Sequence, residues 1–164
     1  MKPELALEQF EVFLRLKNLR VTKPRKDVLL KAWETHTHFT AKQIYNWVRS
    51  SNGNASRATV YRTLSLLVEG GFLAGIDRGQ GQVLYEHILG HRHHDHMICL
   101  SCSSITEFRN PKIEELQLLE AKSADFHMVN HSLTLEGYCS TCRDKIKTKK
   151  LKNILNIWVL KKSN

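Results

Sequence analysis

Hydrophobic positions in the first seventy residues recur at helical intervals and predict four short helices. The first covers residues 5–16, and the second begins near Pro24. Thr40, with Gln43 three residues later, has the spacing of a capping box and predicts the start of the third helix. Ser56 is a favourable N-cap for the fourth helix.

Two short β-type runs follow, over 72–76 and 83–86, with a glycine-containing turn at 78–82 between them. This pattern predicts a hairpin. Helices followed by a hairpin are typical of a winged helix, in which the fourth helix enters the major groove of DNA. The side chains available for DNA would be Arg57, Thr59, Tyr61 and Arg62 on that helix and Arg20 before the second. The alternative is an ordinary charged surface helix.

The remaining pattern predicts a helix from Pro111 to about Ala124 and strand structure between 126 and 138. Apolar residues on that helix, including Leu116 and Leu119, are candidates for a dimer core.

Composition is that of a soluble globular protein, with 41% hydrophobic and 25% charged residues in 164. The apolar run at 157–160 is too short to span a membrane. The N-terminal sequence is not that of a secretory signal, so we expect a cytoplasmic protein. The sequence contains no nucleophile elbow or phosphate loop, and we therefore predict no enzymatic activity.

Charge divides the chain into three parts: net +5 over 1–88, −3 over 89–142 and +7 over 143–164. These parts correspond to a predicted winged-helix domain ending in a hinge, a metal-binding domain and a basic amphipathic tail. Basic segments are typical of contact with nucleic acid or anionic membrane, although a solvated lysine-rich face is also possible. The tail could pack on the protein or contact DNA.

The four cysteines form two C-x-x-C pairs, Cys99 with Cys102 and Cys139 with Cys142. Disulfides are not expected in a chain without a secretory signal. Two such pairs supply the four thiolates of a closed tetrahedral zinc site. The sequence therefore predicts structural Zn²⁺.

Five histidines lie between 87 and 96, immediately before the first C-x-x-C pair, and indicate further metal binding. On an extended strand, His94 and His96 would share one face, while His93 and Asp95 would share the other. This alternation allows two sites without sulfur. Residues 91–96 also fit the H-x-H-x-D-H pattern of metallo-β-lactamase-like hydrolases, but that fold needs a larger sandwich and more chain after the motif.

Several motifs occur together over about residues 10–142 in an order that resembles the ferric uptake regulator (Fur) family. They are Thr22-Lys-Pro-Arg25, His38-Phe-Thr-Ala-Lys-Gln-Ile-Tyr45, Ala58-Thr-Val-Tyr-Arg-Thr-Leu64, His93-His-Asp-His-Met-Ile-Cys-Leu-Ser-Cys102, Ile105-Thr-Glu-Phe108 and Asn130-His-Ser-Leu133. The resemblance implies an α+β homodimer, with a winged-helix DNA-binding domain followed by a small α/β dimerisation domain. It also implies a metal-activated repressor that binds a roughly palindromic DNA operator.

The resemblance assigns site residues by position. Its structural zinc ligands are Cys99, Cys102, Cys139 and Cys142; its regulatory ligands are His38, Glu86, His94, His96 and Glu107; its further site is His93, Asp95, Glu114 and His131. Tyr61, Arg62 and Arg20 match DNA-contacting positions. The segment from Glu86 to His96 is one residue longer than the family pattern, which leaves His87 and His91 as alternatives to Glu86.

The nitrogen and oxygen donors of the regulatory set suit Fe²⁺ or Mn²⁺, and Zn²⁺ could occupy the site in vitro. Zinc-sensing relatives tend to place a cysteine in the regulatory site, and here all four cysteines already belong to the predicted structural zinc site. Iron sensing is therefore the favoured interpretation. Peroxide sensing is the alternative, because peroxide-sensing relatives resemble this layout, although they favour Asp where Glu86 and Glu107 stand. Metal binding would fix the angle between the domains and so control DNA binding.

Overall fold

A computed structural model describes residues 2–77 and 83–145. The chain divides between His93 and His94 into two compact units, whereas the sequence placed the first boundary after residue 88. The predicted turn at 78–82 lies outside the described residues. So does most of the predicted basic tail, from residue 146 onward.

The first unit contains four helices and a three-stranded antiparallel sheet in the order β1-β3-β2. Its elements are α1 (Pro3–Leu16), α2 (Lys23–Trp33), β1 (Phe39–Thr40), α3 (Ala41–Ser50), α4 (Arg57–Glu69), β2 (Leu73–Asp77) and β3 (Val83–His87). This is the predicted winged helix, with β2 and β3 as the wing. The short strand β1 was not predicted.

Local capping explains where the helices begin. The Thr40 hydroxyl accepts a hydrogen bond from the Gln43 amide at 3.2 Å, and the Gln43 side chain accepts one from the Thr40 amide at 2.8 Å. The Ser56 hydroxyl accepts a hydrogen bond from the Thr59 amide at 3.1 Å. Both predicted caps are confirmed, and each satisfies amide groups that have no partner within the helix.

The core of the first unit is formed by the apolar stripes of all four helices and by the base of the wing. Phe10, Phe39, Ile44 and Leu64 are fully buried in it. Phe10 also packs edge to face against Phe72, with ring centroids 5.5 Å apart. This contact holds α1 against the residue that leads into the wing.

The second unit contains a three-stranded sheet in the order β5-β4-β6, with β4 antiparallel to β5 and parallel to β6. Its elements are β4 (Asp95–Cys99), β5 (Ile105–Phe108), α5 (Pro111–Ser123), β6 (Thr134–Gly137) and α6 (Ser140–Arg143). The Asn110 side chain caps α5 by accepting a hydrogen bond from the Lys112 amide at 3.0 Å. The α+β fold class is confirmed.

The strand predicted over 126–138 was too long, because only Thr134–Gly137 forms a strand. Those four residues pair with His96–Cys99 of β4, which is itself five residues long. β4 begins at Asp95, and the carbonyl of Leu133 still accepts a hydrogen bond from the His96 amide at 3.1 Å, so residues 126–132 are the part that lies beyond the end of β4.

Neither sheet of the described residues exceeds three strands, so the sandwich required for a metallo-β-lactamase-like hydrolase is not formed there. Within residues 2–77 and 83–145, no helix has the length and apolar character needed to cross a membrane.

Candidate metal centres and nucleic-acid interface

The four cysteines lie together at one end of the second unit. Cys99 ends β4, Cys102 lies in the turn after it, and Cys139 and Cys142 flank the start of α6. The Sγ atoms lie within 4.8 Å of one another, with Cys102 and Cys139 3.8 Å apart, and none is in a disulfide. The parallel pairing of β4 with β6 brings the two C-x-x-C motifs together.

The surroundings of these thiols favour a bound cation. Backbone amides of Cys102 and Cys139 donate to Cys99 and lower its pKa to about 6. At Cys142, a hydrogen bond with Ser101 lowers the pKa, but contacts with Cys102 and Cys139 and burial outweigh it and raise the pKa to about 11. Four thiols at this separation resist full ionisation, because neighbouring thiolates repel one another. A bound divalent cation would offset this repulsion. The donor set fits Zn²⁺.

Three of the residues that the sequence singled out lie at the start of β4: His94 immediately precedes the strand, and Asp95 and His96 begin it. His94 Nε2 lies 3.8 Å from Glu107 Oε2, and His96 is the register partner of Glu107 on β5. The His94 and His96 ring centroids are 5.1 Å apart. His94, His96 and Glu107 therefore form one group of nitrogen and oxygen donors.

Asp95 belongs to a different group in the same unit. One of its carboxylate oxygens accepts a hydrogen bond from the Leu133 amide at 3.1 Å, which holds the segment containing His131 beside β4. A ligand atom of His131 lies within 4.8 Å of one on Asp95, and His131 Nε2 is 2.8 Å from Glu114 Oε2. Asp95, Glu114 and His131 are thus brought together. His93 is the last residue of the first unit and is exposed.

In the first unit, His38 Nε2 lies 3.1 Å from Glu86 Oε2. The pairing of Phe39 with Tyr85 places His38, immediately before β1, opposite Glu86 on β3. The extra residue between Glu86 and His96 therefore does not displace Glu86 from His38. The predicted regulatory residues are divided between the units, with His38 and Glu86 in the first and the other three in the second.

His87 and His91, the sequence alternatives to Glu86, form a separate cluster with His36 in the first unit. Sequence reasoning missed His36, because nothing in its spacing connects it to residues fifty positions later. Burial, together with the nearby imidazoles of His91 and His36, lowers the pKa of His87 to about 4. Its ring is therefore neutral near pH 7.

Helix α4 presents the predicted DNA-contacting side chains. Arg57, Tyr61 and Arg62 are exposed on it. Thr59 differs because it is half-buried and its hydroxyl lies 2.9 Å from that of Ser56, so it stabilises the start of the helix.

A second aromatic residue lies close to this basic helix. The guanidinium groups of Arg49 and Arg57 lie 5.7 and 5.3 Å from the centre of the Tyr45 ring. The hydrogen bond from Arg49 is the main cause of a lowered Tyr45 pKa. This surface combines cations with aromatic rings, as surfaces that contact phosphates and bases do.

An open depression of about 420 Å³ lies beside α4. Arg20, Arg25 and Arg62 line it together with Thr22 and Thr59. Three guanidinium groups around one concavity suit an anionic oxygen group, because arginine binds phosphate through two parallel hydrogen bonds. Arg20, which sequence reasoning placed ahead of α2, therefore lies on the same surface as Arg62.

A sequence model of the Ferric uptake regulator family matches residues 16–136. The chain belongs to this family. The Ferric uptake regulation protein of Campylobacter jejuni is 38% identical over 144 residues, covering 87% of this chain and 91% of the relative. That of Neisseria meningitidis serogroup B is 36% identical over 143 residues, covering 85% and 98%.

Solved structures of other Fur proteins have the same fold. The Helicobacter pylori regulator, described as having three functional metal binding sites, is 28% identical, with a TM-score of 0.73 and coverage of 87% of this chain and 95% of that one. The Francisella tularensis regulator, solved with iron, is 32% identical, with a TM-score of 0.62 and coverage of 76% and 95%.

As a member of the Fur family, this chain offers two kinds of metal-binding chemistry. The cysteine group supplies four sulfur donors, which suits a structural Zn²⁺. The histidine and carboxylate groups supply only nitrogen and oxygen, which suits ions that exchange more readily.

Proposed function

We propose that this chain is a metal-dependent DNA-binding repressor that senses iron. The observation that carries the proposal is the division of the nitrogen and oxygen donors between the two units. Glu86 lies on β3 of the wing with His38 beside it, and His96 and Glu107 lie on the sheet of the other unit, with His94 immediately before β4. One ion bound by both sets would couple metal binding to DNA affinity by linkage.

The donor chemistry supports iron as the regulatory ion. Imidazole and carboxylate ligands suit Fe²⁺ and Mn²⁺, and Zn²⁺ would occupy the same ligands in vitro because it binds such sets more tightly. Glutamates rather than aspartates at 86 and 107 favour iron sensing over peroxide sensing, the second candidate. The names of the relatives, which are ferric uptake regulation proteins, support the same choice.

Two further metal sites belong to the proposal. The four cysteines would hold a structural Zn²⁺ that fastens α6 and the turn after β4 to the sheet. Asp95, Glu114 and His131, with His93, would hold an additional ion. The Helicobacter pylori relative is likewise described as having three metal binding sites.

Helix α5 supports a homodimer. None of its residues is buried, and Leu116 and Leu119, which lie three residues apart on one face, are 64 and 55% exposed. An apolar helix face of this kind is typical of an interface with a second copy of the chain. A dimer would present two copies of α4 to successive major grooves and bind a palindromic operator in the cytoplasm.

Fluorescence anisotropy tests the proposal. A labelled DNA duplex from the region upstream of the gene that encodes this chain is titrated with the full-length protein under anaerobic conditions. Separate titrations contain Fe²⁺, Mn²⁺ or Zn²⁺. Binding should require metal and should be reversed by EDTA. His96→Gln should abolish metal-induced DNA binding while structural zinc is retained. His127→Gln, at an exposed histidine outside these groups, should behave as wild type.

Two outcomes would change the conclusion. Equal binding with and without metal would show that metal does not control DNA affinity. Irreversible loss of DNA binding when the Fe²⁺ complex meets peroxide would identify a peroxide sensor instead.

A further inference from the structure

Three histidines of the first unit form a cluster apart from the His38–Glu86 pair. His36 lies in the loop between α2 and β1, His87 ends β3, and His91 follows in the next turn. One ligand nitrogen from each lies within 4.8 Å of the others. The ring centroids are separated by 4.7 Å for His87 and His91, and by 6.4 Å from each of these to His36.

His87 is held in a fixed orientation at the base of this cluster. It is 8% exposed, and its ring centroid lies 3.6 Å from that of Trp33. Its Nε2 lies 3.0 Å from the Leu89 carbonyl oxygen. A carbonyl only accepts hydrogen bonds, so Nε2 carries the proton and Nδ1 keeps its lone pair. This arrangement is typical of metal-ligating histidines, whose second nitrogen donates to a carbonyl or carboxylate.

The other ring nitrogen of His87 is a buried acceptor. Nδ1 is buried and has no hydrogen-bond partner in the part of the chain that the structure describes. A buried acceptor without a partner costs free energy, and such atoms are rare unless a water or an ion satisfies them.

Backbone geometry explains why His91 lies over His87. The Ile88 amide donates to the Phe72 carbonyl at 3.2 Å and extends the edge of the wing. The His91 amide then donates to the Ile88 carbonyl at 2.9 Å, which closes a turn. Gly90 has a φ of 84° in this turn, a conformation that favours glycine.

We propose that His36, His87 and His91 bind a divalent transition-metal ion of the zinc, cobalt and nickel class. Imidazole donors suit these ions. Three nitrogens on a tetrahedral ion lie about 3.4 Å apart. The cluster reaches this spacing by small rotations of His36 and His91, because both side chains are exposed. Water completes the coordination.

The proposed site lies entirely within the first unit and requires neither DNA nor the second unit. It would fasten the loop after α2 to the segment that leaves β3. Metal binding at this site should therefore raise the thermal stability of the first unit.

Counting bound metal tests the proposal. The full-length protein, with its structural zinc retained, is dialysed against micromolar Co²⁺, and bound cobalt is measured by mass spectrometry. His36→Gln and His91→Gln alter exposed side chains and should each lower the count by one equivalent per chain. His127→Gln, at an exposed histidine outside the cluster, should leave it unchanged. Equal cobalt counts in all four proteins would overturn the proposal.

A double variant separates this site from the alternative in which His91 joins the His38–Glu86 pair. His91→Gln is added to His38→Gln, and the two proteins are compared. A further lost equivalent supports an independent site. If the double variant binds as much cobalt as His38→Gln alone, His91 belongs to the other site and the proposal is wrong.

Tryptophan fluorescence gives a second, local readout. Trp47→Phe and Trp158→Phe leave Trp33, beside His87, as the single tryptophan. Co²⁺ should quench its emission saturably, and the added His36→Gln should shift the midpoint at least tenfold to higher Co²⁺. An unchanged midpoint would overturn the proposal.

Discussion

Removal of the Arg62 side chain should weaken DNA binding in a way that depends on salt. Arg62 is exposed on α4 and lines the depression that Arg20 and Arg25 also line. A guanidinium group there replaces the counterions of a phosphate, and their release favours binding. Arg62→Ala should therefore reduce both the affinity for DNA and its dependence on salt.

The expected magnitude follows from counterion release. Each neutralised phosphate contributes about 0.9 to the slope of log K against log salt concentration. Arg62→Ala should lower this slope by about 0.9 for a monomer and by about 1.8 for a dimer with both subunits altered. The loss of affinity should be similar for specific and unrelated duplexes, because a phosphate contact carries little sequence information.

The assay is fluorescence anisotropy with saturating metal at several salt concentrations between about 50 and 200 mM. Over this range log K falls about linearly with log salt concentration. Lys122→Ala removes an exposed positive charge from α5, in the other unit, and should leave the slope unchanged. An unchanged slope for Arg62→Ala would refute the phosphate contact. A loss confined to one operator base pair would instead place Arg62 at a base edge.

Three further predictions test the structural basis of both units. Phe10→Ala should lower the free energy of unfolding by about 3–5 kcal/mol in urea titrations, whereas Leu16→Ala, 79% exposed, should cost less than about 0.5. Thr40→Ala removes the cap of α3 and should cost about 1 kcal/mol by the same measurement; no loss would mean that Gln43 alone suffices. Cys102→Ser should abolish tightly bound zinc in elemental analysis, and retained zinc would exclude Cys102 as a ligand.

Features set by local sequence were predicted well. The capping box at Thr40 and the cap at Ser56 depend on residues within three positions of each other, so the sequence alone reveals them. The alternation of side chains between the two faces at the start of β4 is likewise a local feature of the sequence. It separates His94 and His96 from Asp95, and the structure gives these residues different partners.

Features that depend on strand pairing could not be predicted. The strand β1 has two residues, and it exists because Phe39 and Thr40 pair with β3. His36 joins His87 only because that pairing brings the loop after α2 beside the end of the wing. No local pattern encodes a contact between positions so far apart.

The position of the extra residue has a consequence for the evolution of the chain. Along β3, Tyr85 stacks on Phe39, Glu86 approaches His38, and His87 packs on Trp33. A residue inserted in β3 before Tyr85 would shift these three side chains to the opposite face of the sheet and break all three contacts at once. The turn around Gly90 lies beyond the last paired residue, so the chain can gain length there without changing the register. Variation in length among related proteins should therefore accumulate in this turn and be absent from β3.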